Sequence, residues 1–304
     1  MNKAKSIKNL LSVQDLAENE IYAIFNRAKN FKGGFISNEK PLSDKKIGMI
    51  FEKSSTRTRV SFEVGILELG GYPLFMSSKD LQLGRGEPIK DTARVLSRYL
   101  DGAIIRTYEQ ERIEEFAAYF NKPVINGLTD LYHPAQVLTD LFTAYEVKKD
   151  IKNLKIAYFG DPNNMANSWI NLQVLMGFKL VLAIPEDFKI NEKALAFSKE
   201  RGGSFIVSHN KTEAAKDADV VTTDVFISMG QEIDDAKIKK LMPFQIDETV
   251  IKLAKDDVIF LHCLPVHRGE EVSEDIFEKF SSNVFEEAEN KLHVQKAIME
   301  RIFA

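Results

Sequence analysis

The 304-residue chain carries one cysteine, Cys263, so no intrachain disulfide can form and the composition fits a reducing compartment. No apolar run approaches the ~18 to 20 residues that cross a bilayer. The opening stretch MNKAKSIKNLLSVQDLAENE breaks into charges too soon for a secretory signal, and the expected location is the cytoplasm. Positive charge is not in excess: the formal net charge is -4, which argues against a general nucleic-acid binder and confines any phosphate recognition to a local site. His133, His262, Cys263 and His267 show neither a CxxC nor an HxxxH pairing, so no metal and no cofactor is expected. No repeat of fixed period and no low-complexity tract is present.

What remains is an ordinary globular composition. The length suits two domains, and 44% hydrophobic residues can supply a core for each. Short apolar runs bounded by turn residues alternate with longer amphipathic ones, as βα units do. The strand candidates are KIGMIF, YPLFM, GAIIR and PVING in the first half, then KIAYF, KLVLAI, SFIVS, DVVTT and VIFLHC. The pattern predicts two Rossmann-like α/β domains with parallel sheets, joined by interdomain helices. Expected bounds are 1–145 and 146–285, with 286–304 a C-terminal helix returning to the first domain. The joint is the helix PAQVLTDLFTAYEVKKD, with Pro134 at its first position and Val137, Leu138, Leu141, Phe142 and Tyr145 on one face. The last helix offers Leu292, Ile298 and Ile302 for packing.

Polar residues after strands are informative, because ligands of open α/β sheets collect beyond the carboxyl ends of the strands. After the first strand, FEKSSTRTRVSFEVG places Ser55, Thr56, Arg57 and Thr58 where a helix should begin, with Val60, Phe62, Val64, Ile66, Leu67 and Leu69 following at helical spacing. A first helical turn has unpartnered N–H groups and the positive end of the macrodipole, so it favours an anion. Arg57 and Arg59 add charge, and the hydroxyls add short donors that suit phosphate oxygens. An N-cap with solvated arginines is the plainer alternative. Other strands are followed by Arg106, by His133 and Gln136, by GDPNNMANS, by VFISMGQE and by LPVHRGEE. Each is weak alone, since His133 could cap a helix and Cys263 could be a small buried hydrophobe. Together they resemble a two-substrate site.

These residues resemble the aspartate/ornithine carbamoyltransferase family over essentially the whole chain. STRTR is similar to its carbamoyl-phosphate loop and HPAQ to its H-P-x-Q element, while DVFISMGQE and FLHCLPVHRGEEV resemble the ornithine branch. The resemblance implies that domain 1–145 binds carbamoyl phosphate and domain 146–285 binds ornithine. It implies that Ser55, Thr56, Arg57 and Thr58 hold the phosphate with Arg106, and that His133 and Gln136 orient the carbamoyl group. Gln82 would reach a neighbouring subunit's site in a homotrimer with shared active sites. Asn164, Asp224, Ser228 and Met229 would hold the amino-acid end of ornithine, with Cys263 and Leu264 near the δ-amine and the carbamoyl centre. The implied reaction is transfer of the carbamoyl group to ornithine, giving citrulline and phosphate in arginine metabolism.

Two other functions compete. One is carbamoyl transfer to a different amine, such as aspartate, putrescine or an acylated ornithine, since one side chain can redirect a pocket. The other is a Rossmann module that binds a nucleotide without catalysis, although Gly160 is followed by Asp161, Pro162 and two asparagines rather than spaced glycines. One departure stands out: relatives have E-N-R before the final helix, where this chain has Lys291. Lysine keeps the charge but lacks the planar fork. It is expected to reach the carbamoyl oxygen as a point charge, the alternative being that it turns to solvent.

Overall fold

The computed structural model describes residues 9–34, 40–77, 81, 86–228, 230 and 232–304. The chain forms two compact units, one of Met1–Leu138 with Asn290–Ala304 and one of Thr139–Glu289. In the first unit, α1 (Glu18–Lys32) is followed by β1 (Lys46–Phe51), α2 (Arg57–Glu68), β2 (Tyr72–Ser77), α3 (Ile89–Leu96), β3 (Gly102–Arg106), α4 (Gln110–Phe120) and β4 (Val124–Leu128). The four strands are parallel in the order β2-β1-β3-β4. Strands buried on both faces read as continuous apolar runs, which is why KIGMIF and GAIIR are legible as β1 and β3. Ile50, Ala103, Ile105 and Val124 of the sheet pack with Ile113, Phe116 and Phe120 of α4. Each of the Ile, Val and Phe side chains contributes roughly 1.5–3 kcal/mol by leaving water.

The long α5 (Pro134–Lys148) and the terminal helix each run across a unit boundary. The second unit holds β5 (Lys155–Phe159), α6 (Asn164–Met176), β6 (Lys179–Ala183), α7 (Glu192–Glu200), β7 (Phe205–Ser208), α8 (Lys211–Ala215), β8 (Val220–Thr223), α9 (Asp235–Leu241), α10 (Glu248–Leu253), β9 (Ile259–His262) and α11 (Glu274–Lys279), before α12 (Ser281–Phe303). Its five parallel strands run β7-β6-β5-β8-β9. Ala157, Phe159, Val221 and Phe260 of this sheet pack with Ile276 and Phe277 of α11. Trp169 of α6 meets Phe178 edge-on at 5.8 Å between ring centroids. The expected class, two parallel-sheet α/β domains, is the one observed.

The end of α12 is fastened to the first unit by side chains that the periodicity of its apolar residues does not reveal. Arg27 donates twice to Glu300, at 2.5 and 2.7 Å, and the buried Lys296 donates to Glu68 at 2.6 Å. Gly65 of α2 faces α12 closely: a Cβ there would lie 2.7 Å from Met299 Cε and 3.2 Å from Lys296 Cγ, so these flexible side chains would have to shift. Ile298 and Ile302 are buried as expected, Leu292 is only half-buried, and Val294, Met299 and Phe303 also join the core. The apolar spacing in α2 is only partly a core face. Thr58, Phe62, Gly65 and Ile66 are buried, whereas Val60 and Leu67 stand 52% and 56% exposed.

Candidate active site

In the first unit the polar groups gather beyond the carboxyl ends of β1, β3 and β4. Phe51 and Arg106, the last residues of β1 and β3, are register partners, and the β3–β4 register slips between Ile105 and Arg106. Irregularities of this kind re-aim a side chain at a strand end. Arg106 is only 2% exposed. The turn before α5 is pinned from several sides: Thr129 donates its N–H to the Tyr132 carbonyl at 2.9 Å and its hydroxyl to Gln110 at 2.7 Å, and Asn126 donates to the Leu11 carbonyl at 2.8 Å. That turn delivers His133, whose carbonyl accepts the first helical N–H groups, from Gln136 and Val137, at 3.2 Å each.

Lys291, on α12 and 5% exposed, donates to Gln136 Oε1 at 2.6 Å. It therefore faces His133 and Gln136 and does not turn to solvent. Burial lowers the His133 pKa well below its ordinary value, and the Lys291 and Arg106 cations lower it further. The group thus consists of two buried cations, one neutral imidazole and one amide. Such a set supplies hydrogen-bond donors to oxygen that carries negative charge.

The Ser55–Thr58 segment opens α2 one strand away. Thr56 sits at the N-cap but makes no side-chain bond to the helix, so it does not behave as an ordinary cap. Thr58 is buried, Ser55 and Arg57 are half-buried and Thr56 is exposed. The neighbouring cations are engaged elsewhere: Lys53 pairs with Asp130, and Arg59 lies 3.5 Å from Glu63 with its guanidinium 3.4 Å over the Phe75 ring. Among the described residues Arg57 forms no ion pair. Gln82 lies outside the described residues.

The second unit gathers its polar groups beyond β5, β8 and β9. Gly160 takes a φ of 108°, a conformation that side chains rarely adopt, and the chain then turns into α6. Asn163 caps that helix by accepting from the Met165 N–H at 2.8 Å, and its amide donates to Asp224 Oδ2 at 2.7 Å. The other carboxylate oxygen of Asp224 accepts from the Val225 N–H at 2.8 Å and from the Cys263 thiol at 3.2 Å. Tyr158 donates to the Asp161 carbonyl at 2.8 Å; burial raises its pKa well above the usual phenol value, and the Asp224 and Asp161 charges add to the rise. Asp161 is paired with Lys237 at 2.8 Å, but its burial prevails and its pKa is raised. Leu264 has a φ of 54° and a cis bond to Pro265.

Arg106, His133, Gln136 and Lys291 thus come together in one unit, and Asp224 and Cys263 in the other. Asn164 is the buried first residue of α6 and Ser228 is half-buried, while Met229 lies outside the described residues. Asn163, Tyr158 and Lys237 belong to the second group and were not singled out from sequence. The doubled asparagine after Gly160 was the one available signal, and an ordinary turn explains it equally well. Among the described residues, His267, Glu270 and Glu271 bring possible metal-ligand atoms within 4.8 Å of one another. Of these, Glu271 is the buried one, and its Oε1 already accepts from the His267 N–H at 2.6 Å.

Comparison with known proteins agrees across the chain. Residues 8–146 match the profile described as aspartate/ornithine carbamoyltransferase, carbamoyl-P binding domain, and residues 152–302 match its Asp/Orn binding domain. An ornithine carbamoyltransferase of Methanosphaera stadtmanae is 49% identical, covering 98% of this chain and 99% of its own. One from Nitratiruptor is 50% identical, covering 96% and 97%. The crystal structure of an anabolic ornithine carbamoyltransferase from Campylobacter jejuni superimposes with a TM-score of 0.91 at 45% identity over 96% of this chain and 97% of that one. The Pyrococcus furiosus ornithine carbamoyltransferase gives the same TM-score and identity over 98% and 97%.

Proposed function

Because the chain belongs to the aspartate/ornithine carbamoyltransferase family, we infer that it transfers the carbamoyl group of carbamoyl phosphate to the δ-amine of L-ornithine, giving L-citrulline and phosphate. The observation that carries this conclusion is the nearly full-length identity to ornithine carbamoyltransferases, joined to two donor groups of the required chemistry. The reaction belongs to arginine biosynthesis.

Carbamoyl phosphate is assigned to the first unit. Ser55, Thr56, Arg57 and Thr58 hold its phosphate with Arg106, and the unpaired state of Arg57 among the described residues supports that role. His133, Gln136 and Lys291 face the carbamoyl group. A neutral His133 donates from one nitrogen without adding charge, while Lys291 and Arg106 supply charge to an oxygen that becomes negative as the amine adds. A donor aimed at such an oxygen is typically worth ~2.7–4 kcal/mol. Ornithine is assigned to the second unit, with Asn164, Asp224, Ser228 and Met229 at its amino-acid end and Cys263 with Leu264 toward the δ-amine. Gln82 is assigned to a neighbouring subunit's site.

The δ-nitrogen attacks the carbamoyl carbon, a C–N bond forms, the carbonyl π electrons move to oxygen, and their return expels phosphate by breaking the C–O bond. The nitrogen's proton passes to the departing phosphate, which becomes more basic as that bond breaks. No covalent enzyme intermediate is required, so the protein's contribution is positioning and charge stabilisation.

A homotrimer is proposed for the assembly. The exposed Val60, Leu67, Tyr72 and Leu74 of α2 and β2 support it, since clustered apolar exposure marks association surfaces. We place the protein in the cytoplasm on the strength of its lone thiol; among the described residues no helix is long and apolar enough to cross a membrane. Amine competition tests the function. With carbamoyl phosphate fixed, ornithine reacts at least ~10-fold faster per unit concentration than putrescine or aspartate, a margin of ~1.4 kcal/mol. Equal or reversed rates would assign another amine.

A further inference from the structure

His262 and Glu271 are completely buried side chains with no place in the transfer chemistry, and they bracket the segment that carries Cys263 and Leu264. His262 ends β9, where its own N–H donates to Glu287 Oε2 at 2.8 Å. Its Nδ1 accepts from the Leu264 N–H at 2.9 Å, so the ring proton of the neutral imidazole resides on Nε2. That nitrogen lies 3.2 Å from Glu271 Oε1. The same oxygen accepts from the His267 N–H at 2.6 Å. The imidazole therefore grips the near end of the turn and the carboxylate grips the far end, and the two side chains lie side by side at 3.2 Å without a hydrogen bond between them.

The turn needs such support. Leu264 sits in the left-handed region at a φ of 54°, which costs a branched side chain free energy that its surroundings must offset. Burying a carboxylate also costs free energy, and Glu271 Oε2 has no hydrogen-bond partner among the described residues. We propose that His262 and Glu271 are positioning residues for the transfer reaction: they fix the Cys263–Val266 turn so that the thiol lies against Asp224 and Leu264 is presented to the substrate. The kinetic part of this proposal rests on the carbamoyl-transfer function assigned above, whereas the geometric part stands without it.

Because Cys263 is the sole cysteine, its alkylation rate reports the geometry of the turn directly. His262→Asn keeps an acceptor where Nδ1 stands and loses the contact with Glu271; His262→Gln keeps a donor toward Glu271 and loses the acceptor for Leu264. For the full-length protein, the expected results are kcat/KM for ornithine lowered at least tenfold by His262→Gln and a Cys263 alkylation rate by iodoacetamide changed at least fivefold. His262→Asn should stay within threefold of wild type in both. Glu271→Ala, acting from the far end, should match His262→Gln and serves in its place should that variant fail to fold. Alkylation rates that do not distinguish Asn from Gln, or a Glu271→Ala protein within threefold of wild type, would overturn the proposal. Separation in alkylation by a wild type that does not carbamoylate ornithine would instead support the positioning role and remove the assigned function.

Discussion

Replacing Lys291 by methionine removes one ammonium group while keeping the stem that fills its buried position. In the intact protein that ammonium lies 2.6 Å from Gln136 Oε1 and depresses the His133 pKa, so it borders both residues assigned to the carbamoyl group. A lost hydrogen bond to a charged group costs ~1.5–3 kcal/mol, which converts to a roughly ten- to hundredfold fall in kcat/KM for carbamoyl phosphate. Lys291→Arg restores the charge with a second donor and should match or exceed wild type. The same substitution has a second readout in the ring resonances of His133. Loss of a neighbouring cation lets its pKa rise, but not to the ordinary value, because burial is the larger cause of the depression and persists. Steady-state kinetics at saturating ornithine, with a thermal midpoint to verify folding, decides the matter. A folded Lys291→Met enzyme within about twofold of wild type, below ~0.5 kcal/mol, would place Lys291 outside the site.

His133 also gives the protein a pH dependence. Its folded pKa is depressed, so between that value and the ordinary ~6.5 the unfolded chain binds more protons than the folded one. Its neutral state therefore contributes stability that is present above pH ~6.5 and is lost as pH falls, at a slope of at most ~1.4 kcal/mol per pH unit. Urea unfolding at pH 7 and pH 5.5 should show a smaller loss in His133→Asn than in wild type, and an equal loss would refute the assignment. Sedimentation should give a mass about three times the 34.5 kDa of the chain, and Leu67→Asp should lower it; a wild-type monomer would exclude shared sites.

The sheets were legible because parallel strands buried on both faces must be apolar throughout, and KIGMIF, GAIIR and KIAYF coincide with β1, β3 and β5. The helical period of α2 was legible too, but the period cannot tell a face that meets the core from one left exposed, and Val60 and Leu67 are exposed. The short α9 and the Met242–Phe244 turn gave no usable period at all. At the site, strand-end positions led to Arg106, His133 and Gln136, because the topology of open α/β sheets fixes where ligands collect, whereas Asp224 came from the family resemblance. The burial of Lys291 against Gln136 was beyond any local pattern, since the two are 155 residues apart. Likewise the contact of His262 with Glu271 joins two sides of an irregular turn, where neither the helical nor the strand repeat applies.

The assignment of the Ser55–Thr58 loop is tested most directly by titrating carbamoyl phosphate, without ornithine, onto wild-type and Arg57→Ala protein in a calorimeter. Wild type should bind, and the variant should lose at least about tenfold in affinity, as removal of a charged phosphate contact requires. Its thermal unfolding should change little, because a helix-start arginine without an ion pair among the described residues contributes only a few tenths of a kcal/mol to stability. A folded Arg57→Ala protein that binds carbamoyl phosphate within twofold of wild type would contradict the assignment of the phosphate to this loop.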